Sequence, residues 1–230
     1  MLLAENVQGQ SWTLSSGDMV HTTTNMIALI DYGIGNLRSV QKALEHVGAE
    51  VRLTEDPAVI LAADKVVLPG VGAFGDGMKG VRARGLVDVV REVATRGTPL
   101  LGICVGMQVL FEVGEERGEH EGLGILPGRV KQFQISNLKS QNLKVPQTGW
   151  NQIEPQKDSP LFHGLPRGAY AYFNHGYYCA AWPEDTLATT DYGGAYPSVV
   201  GRGRVYGIQF HPEKSQRVGL LLLKNFVDHG

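Results

Sequence analysis

Hydrophobic positions in the first half of the chain alternate between apolar runs of strand length and stretches with helical spacing. These segments predict four strands, at residues 26–31, 50–53, 65–68 and 99–103. Helical spacing predicts amphipathic helices at residues 36–47 and 80–96, which end at Gly48 and Gly97. Strands that alternate with helices indicate a parallel sheet covered on both faces.

The second half of the chain has a different pattern, in which short apolar segments are separated by turns. These segments predict further strands, at residues 129–135, 170–178, 187–190, 198–201 and 205–210. Residues 217–228 have helical spacing and predict a closing amphipathic helix. Because no repeat, low-complexity tract or linker is visible, residues 26–230 are expected to form a single α/β domain.

Composition and charge narrow the class of protein. The 230 residues are 43% hydrophobic with a net charge of -2, which suits a large core and gives no broad attraction for nucleic acid or an anionic membrane. The two cysteines, Cys104 and Cys179, form no disulfide framework, so we expect free thiols in a reducing, cytoplasmic compartment. No Cys/His spacing predicts a metal site, and we expect no cofactor.

The first 25 residues form a polar segment that lacks Lys and Arg. A secretory signal begins with basic residues and a mitochondrial transit peptide carries arginines, so neither is predicted. No apolar run approaches the roughly 20 residues of a membrane span. Because Met26 opens the first strand, we interpret residues 1–25 as an extension, and we expect a chain that begins at Met26 to be equally stable and active.

The strongest chemical signal is G-I-C-V-G at residues 102–106, which matches the nucleophile elbow with Cys104 in place of serine. Glycines two residues before and after the nucleophile let a strand turn sharply into a helix without clashes. That helix is expected to run through Phe111 and to direct its N-terminus at the sulfur, which favours the thiolate. A buried cysteine in a glycine-rich turn is the alternative.

A cysteine nucleophile needs a base, and His211 is the strongest candidate. It follows the predicted strand at residues 205–210, and Glu213 is close enough in sequence to orient its imidazole. A surface His-Pro turn is the alternative. His175 lies among aromatic residues and is interpreted as a packed, hydrogen-bonded structural histidine.

The segment L-P-G-V-G at residues 68–72 interrupts a predicted strand and leaves backbone N–H groups unpaired at its end. The Val71 N–H, beside the N–H of Val105, would suit an oxyanion hole. An ordinary loop is the alternative. The segment is not a P-loop, because no Gly-Lys-Ser/Thr sequence follows it.

Taken in order, these motifs resemble class I glutamine amidotransferases of the triad type. Further motifs narrow the resemblance to the glutaminase subunits of imidazole glycerol phosphate synthase. They are D-Y-G-I-G-N-L at residues 31–37, P-G-V-G-A-F at 69–74, G-W-N at 149–151 and H-P-E-K-S at 211–215. The match spans residues 26 to about 228.

The resemblance implies a three-layer, flavodoxin-like sandwich around a mainly parallel sheet. It implies a catalytic triad of Cys104, His211 and Glu213 that hydrolyses L-glutamine through a thioester and releases ammonia. The residues that it implies for substrate binding are Gly72, Gln108, Glu116, Gly176 and Tyr177. It also implies a partner, the cyclase subunit that uses the ammonia in histidine biosynthesis.

The sequence differs from the family pattern at three places. Gln147 and Thr148 replace the usual His-Met near the expected partner surface, Gly176 replaces serine, and Val105 replaces leucine. Three alternatives stay open: a glutaminase of another synthase such as pyridoxal phosphate synthase, a cysteine hydrolase or peptidase on a similar sheet, and a catalytically inactive regulatory subunit. The complete triad argues against the last of these.

Overall fold

The computed structural model describes residues 26–134, 136 and 141–230. The predicted extension at residues 1–25 and the last residue of the predicted strand at 129–135 lie outside the described residues. The strands are Met26–Ile30 (β1), Glu50–Thr54 (β2), Lys65–Leu68 (β3), Leu100–Ile103 (β4), Phe111–Gly114 (β5), His120–Glu121 (β6), Leu126–Gln132 (β7), Gln147–Gln152 (β8), Glu154–Pro155 (β9), Tyr170–His175 (β10), Tyr177–Ala181 (β11), Thr186–Asp191 (β12), Ala195–Arg202 (β13) and Val205–Ile208 (β14).

The α-helices are Leu37–His46 (α1), Pro57–Ala62 (α2), Phe74–Ala83 (α3), Val87–Thr95 (α4), Val105–Gln108 (α5) and Gln216–His229 (α6). Short 3₁₀ turns lie at Pro160–Phe162 and Pro212–Lys214. No helix within the described residues is long and apolar enough to cross a membrane.

A sheet of eight strands, in the order β2-β1-β3-β4-β14-β13-β12-β9, forms the centre of the fold. Its first five strands are parallel, and the last three are antiparallel to their neighbours. Strands β1, β3, β4 and β14 are almost wholly buried, as their continuous apolar runs require. The expected α/β sandwich with a central, mainly parallel sheet is confirmed.

Helices cover this sheet because each parallel crossover must return over one face. Crossovers in parallel sheets are right-handed, so the leftward step from β1 to β2 and the rightward steps through β3 and β4 place their helices on opposite faces. Helix α1 packs against α6, while α2 packs against α4. The carboxyl ends of β3, β4 and β14 stay open at one edge of the sheet, where the predicted chemical motifs lie.

Two smaller sheets, formed by β10-β8 and by β11-β7-β5-β6, stand beside the central sheet. The single strand predicted at residues 170–178 is wrong, because the chain changes sheets at Gly176. Before this residue the chain pairs with β8, and after it the chain pairs with β7. The break leaves the backbone of Gly176 unpaired between the two sheets, with Tyr177 as the first paired residue of β11.

The helix predicted at residues 80–96 is also wrong in its bounds. The chain forms two helices, α3 and α4, that meet at Gly85, whose φ is +65°. Of the apolar stripe predicted for this helix, Leu86, Val90 and Val93 are buried, whereas Val89 is only half-buried. Helix α2 was missed, because six residues are too few to reveal helical periodicity.

Candidate active site

Cys104 lies at the sharp turn between β4 and α5, with a φ of 55° and 3% of its surface exposed. A Cβ atom on Gly106 would lie 1.8 Å from the carbonyl oxygen of Leu68. One on Gly102 would lie 2.7 Å from the carbonyl oxygen of Gly106. The two glycines therefore allow a close backbone approach that no other residue permits, and the turn is the predicted nucleophile elbow.

The helix that follows Cys104 is much shorter than expected. Helix α5 ends at Gln108, and Phe111 begins β5, so the expected helix through Phe111 is wrong. The Leu110 carbonyl instead accepts hydrogen bonds from the N–H groups of residues 125 and 126, which turns the chain into the next sheet. Val105 still begins a helical turn, so its N–H has no carbonyl one turn earlier to bond.

His211 and Glu213 form a buried pair, in which the His211 Nδ1 is 3.0 Å from the Glu213 Oε1. Burial alone would lower the pKa of His211, but hydrogen bonds to Cys104 and Glu213 outweigh it and raise the pKa to about 10. The imidazole is therefore protonated at neutral pH. The second carboxylate oxygen of Glu213 is buried and has no hydrogen-bond partner among the described residues.

The backbone around His211 is fixed to the smaller sheet. The His211 N–H donates to the Tyr172 carbonyl at 2.9 Å, and the Ser215 hydroxyl donates to the His211 carbonyl at 2.6 Å. The Tyr172 N–H donates in turn to the Ser215 hydroxyl at 2.9 Å. These bonds hold the end of β14 against β10, and so they hold the imidazole over the elbow.

The segment of residues 69–73 packs tightly against the elbow. The Tyr32 hydroxyl donates a hydrogen bond to the Pro69 carbonyl, and burial raises the pKa of this phenol, so it stays protonated. A Cβ atom on Gly70 would lie 2.6 Å from the backbone nitrogen of Gly106. Val71 is partly exposed at the surface of the cleft described next, and Gly72 has a φ of +98°.

A cleft of about 110 Å³ opens beside Cys104. It brings together all the residues that the sequence and the resemblance pointed to, apart from Glu213, which lies behind His211. These lining residues are Val71, Gly72, Cys104, Val105, Gln108, Glu116, Gly176, Tyr177 and His211. They come from the elbow, from residues 69–73, from the turn after β5 and from the β10–β11 junction.

Two side chains give the cleft a polar wall. The Gln108 Nε2 donates to the Tyr177 carbonyl at 3.1 Å and to the Gln209 Oε1 at 3.2 Å. One carboxylate oxygen of Glu116 accepts the N–H of Phe74 at 2.9 Å, at the start of α3. Both side chains are therefore held by the fold while they face the cleft.

Three residues near Cys104 were not predicted from the sequence. Asn174 and Lys214 line the cleft, and Gln209 is buried with its Nε2 3.9 Å from the Cys104 sulfur. The available signal was position, because Gln209 and Lys214 flank His211 and Asn174 precedes His175. Among the residues that the structure describes, no group of His, Cys, Asp and Glu side chains is arranged to hold a metal ion.

Comparison with known proteins explains this geometry. The model of the family "Glutamine amidotransferase class-I" matches residues 28–229. The chain belongs to the class I glutamine amidotransferase family. Within this family its relatives include "Imidazole glycerol phosphate synthase subunit HisH" from Symbiobacterium thermophilum, 53% identical over 87% of this chain and 92% of the relative. The same subunit from Salinibacter ruber is 53% identical over 88% of this chain and 94% of the relative. The chain therefore belongs to the HisH group of these amidotransferases.

Solved structures support the same fold for this amidotransferase. PurLQS from Thermotoga maritima superimposes with a TM-score of 0.69 at 19% identity, covering 88% of this chain and 97% of that chain. A glutamine amidotransferase from the same organism superimposes with a TM-score of 0.60 at 17% identity, covering 85% of this chain and 79% of that chain. At such low identities these likenesses concern the fold alone.

Proposed function

We propose that this glutamine amidotransferase is the glutaminase subunit of an imidazole glycerol phosphate synthase, which hydrolyses L-glutamine and passes ammonia to a cyclase subunit in histidine biosynthesis. The observation that carries the proposal is the hydrogen-bonded set of Cys104, His211 and Glu213 at a nucleophile elbow. Relatives about 50% identical, each named as a subunit of that synthase, support the choice of pathway.

The reaction begins at the sulfur of Cys104. In the resting site the charged His211 already holds the proton of the Cys104 thiol, and the thiolate attacks the side-chain amide carbon of glutamine, which forms the C–S bond. The protonated His211 then gives its proton to the leaving nitrogen, so ammonia departs and a γ-glutamyl thioester remains. The neutral His211 then takes a proton from water as the water attacks the thioester, which releases glutamate and restores the thiolate and the charged imidazole. Glu213 holds the imidazole orientation and stabilises its charged form throughout.

Charge builds on the amide oxygen when the tetrahedral intermediate forms. We assign its stabilisation to the backbone N–H groups of Val105 and Val71. The first lies at the unsatisfied start of α5, and the second belongs to the segment that packs on the elbow through Gly70. The loss of one such donor typically lowers turnover by about 100- to 1000-fold.

The polar wall of the cleft suits the amino-acid head group of glutamine. Gln108 and Glu116 offer oxygen acceptors to the α-ammonium group, and the backbone N–H groups of Gly176 and Tyr177, with Gly72, suit the α-carboxylate. A backbone role for Gly176 is compatible with its replacement of serine. The small volume of the cleft favours a free amino acid over a polypeptide, which argues against a peptidase.

We place the partner surface on the exposed face of the two-stranded sheet formed by β8 and β10. Trp150, 45% exposed, lies edge-on to Tyr172 across the two strands. The Lys214 ammonium sits 5.9 Å from the centre of the Tyr172 ring and also lines the cleft. Thr148, one of the departures from the family pattern, lies on the same face, paired with Asn174. An aromatic surface continuous with the mouth of the cleft is suited to receive the subunit that takes the ammonia.

The decisive experiment measures glutaminase kinetics for the chain alone, with the cyclase subunit, and with the cyclase plus its nucleotide substrate. Free ammonia in water is mostly protonated and lost as a nucleophile, so we expect little turnover by the chain alone and a large rise in kcat with the loaded partner. A complex that hydrolyses no glutamine would refute the proposed function. Full turnover without a partner would refute the coupling alone.

A further inference from the structure

A series of buried hydrogen bonds connects strand β8 with the cleft. The Gln147 side chain is fully buried and is hydrogen-bonded to Asn151 at 2.8 Å on one side. On its other side it is 2.8 Å from the Tyr196 hydroxyl, which lies 3.2 Å from the His175 Nε2. The His175 Nδ1 is 2.7 Å from the Tyr177 carbonyl oxygen. His175 therefore stands between a buried polar network and the backbone of the cleft.

The direction of the last bond follows from chemistry. Burial lowers the pKa of His175 to about 4, against the opposing hydrogen bond to Tyr177, so the ring is neutral and carries one N–H. A carbonyl oxygen can only accept, so that proton is on Nδ1 and points at Tyr177. The Nε2 is then an acceptor for the Tyr196 hydroxyl. The amides of Gln147 and Asn151 turn together in this arrangement, so that Gln147 donates to the phenol oxygen and accepts from Asn151.

The Tyr177 carbonyl in turn fixes the amide of Gln108. Both N–H bonds of the Gln108 Nε2 are used, one by the Tyr177 carbonyl at 3.1 Å and one by the Gln209 Oε1 at 3.2 Å. Because Tyr177 can offer only an acceptor there, the amide has one orientation. The Gln108 oxygen is the group left to face the cleft. A rotated amide would present N–H groups to the cleft instead, and these would repel an ammonium group.

We propose that His175 is a positioning residue, which locks the Tyr177 carbonyl and through it holds the Gln108 oxygen toward the α-ammonium group of the substrate. The inference rests on the proposed glutaminase function. The hydrogen bond from His175 is needed because Tyr177 is the first residue of the β11–β7 ladder and follows Gly176, which pairs with neither sheet. Tyr196 and Gln147 support the ring from behind, so they contribute less than His175 itself.

The test compares two amide replacements of His175 in the complex with the cyclase subunit. Asparagine places its N–H donor near the position of Nδ1, whereas glutamine places it near Nε2. We expect His175→Gln to raise KM for glutamine about tenfold with kcat within about threefold, the loss of roughly one neutral hydrogen bond. We expect His175→Asn to keep KM within about threefold of wild type, although it leaves the larger void.

A second readout isolates the ammonium group. Glutamate and glutarate, which lacks the α-amino group, serve as competitive inhibitors of the wild-type and His175→Gln complexes. We expect the inhibition constant of glutamate to rise about tenfold in the variant and that of glutarate to rise less than threefold. Equal changes for the two inhibitors, or no wild-type preference for glutamate, would overturn the proposed role of the Gln108 oxygen.

A matched pair of tyrosine variants controls for packing. Tyr196→Phe removes the hydroxyl behind His175 and is expected to raise KM a few-fold. Tyr192→Phe removes a hydroxyl from the same aromatic cluster, which bonds the Lys144 carbonyl at 2.7 Å, and is expected to keep the wild-type KM. An active wild-type complex with His175→Asn no better than His175→Gln overturns this inference alone. A wild-type complex without glutaminase activity overturns the proposed function as well.

Discussion

The parallel part of the central sheet and the smaller sheets beside it build the cleft in different ways. Cys104 and His211, the proposed nucleophile and base, follow β4 and β14, two adjacent parallel strands whose residues Ile103 and Ile208 are paired. Their position depends on backbone packing, since Gly106 lies against the Leu68 carbonyl with no room for a Cβ atom. The smaller sheets instead position the substrate-facing groups through side-chain hydrogen bonds, as at His175 and Gln108.

The two parts of the cleft are therefore expected to differ in how well they tolerate amino-acid substitution. A site fixed by backbone contact fails when any atom is added, because a packed interior cannot yield. A site fixed by side-chain hydrogen bonds loses about one bond at a time and weakens in steps. The chemical step is therefore expected to be intolerant of substitution, while substrate affinity and partner contact can be adjusted.

The largest effect is expected at the nucleophile. Cys104→Ala should lower glutaminase turnover by at least about 10⁴-fold, because no thioester can form. The matched control is Cys179→Ala, since Cys179 is equally buried but lies within β11, and it should retain activity. Mass spectrometry after treatment with the glutamine analogue diazo-oxo-norleucine should find the label on Cys104. A label on Cys179 would place the nucleophile in the smaller sheets and contradict the contrast drawn between the two regions.

Glu213→Gln should lower kcat by about 10²- to 10⁴-fold, less than the loss of the nucleophile, with glutamine binding nearly intact. The pH profile provides a second measurement. His211 has a pKa raised to about 10, so its charged form, needed to protonate ammonia, is lost as the pH rises through that value. Removal of the Glu213 charge lowers this pKa, and the alkaline limb of kcat should move to lower pH. An unmoved limb would contradict the assigned pairing.

Two glycine variants compare the regions directly. Gly106→Ala puts a Cβ atom 1.8 Å from a carbonyl oxygen and should cost about 3 kcal/mol of folding free energy or more. Gly176→Ala meets its nearest neighbour, a Val145 side-chain carbon, at 3.4 Å and should change stability by less than about 0.5 kcal/mol. Urea unfolding of both variants provides the measurement. Equal losses would show that the two regions are equally constrained.

The smallest effect on the isolated chain is expected on the surface. Trp150→Ala should leave its melting temperature and its basal activity unchanged, because the ring is half exposed. The same change should weaken the complex with the cyclase about 30-fold, or ~2 kcal/mol, as for a central aromatic contact. Titration by calorimetry measures this, with Trp182→Ala as the control, since Trp182 is similarly exposed but belongs to another edge of the fold. If both variants weaken the complex equally, β8 is not part of the interface with the cyclase.

The sequence predicted β1, β3 and β4 well because each is a continuous apolar run that is recognised without knowledge of its neighbours. The elbow was equally recognisable from the sequence, since both glycines that Cys104 requires lie within two residues of it. The predicted bounds of helices and strands were wrong where tertiary contacts determine them. Gly85 divides a helix, Phe111 leaves a helix for a sheet, and Gly176 divides a strand, although each flanking segment keeps a suitable pattern.

The network behind His175 could not be derived from sequence. Its aromatic surroundings indicated a packed histidine, and the structure agrees. The members of the network, however, come from β8, β10 and β13, and no spacing connects Gln147 with Tyr196. Only the pairing of strands from distant segments brings these side chains together, and local patterns carry no information about such pairing.

The neighbouring positions of β4 and β14 have a consequence for synthesis of the chain. On the ribosome the elbow emerges well before the strand that ends at His211, and about half of the chain must be made between them. A nascent or truncated polypeptide thus carries a cysteine without its base. Because β14 fills the place between β4 and β13, it is inserted between strands that are already made. Under the proposed function, a chain that has not been translated through His211 cannot hydrolyse glutamine.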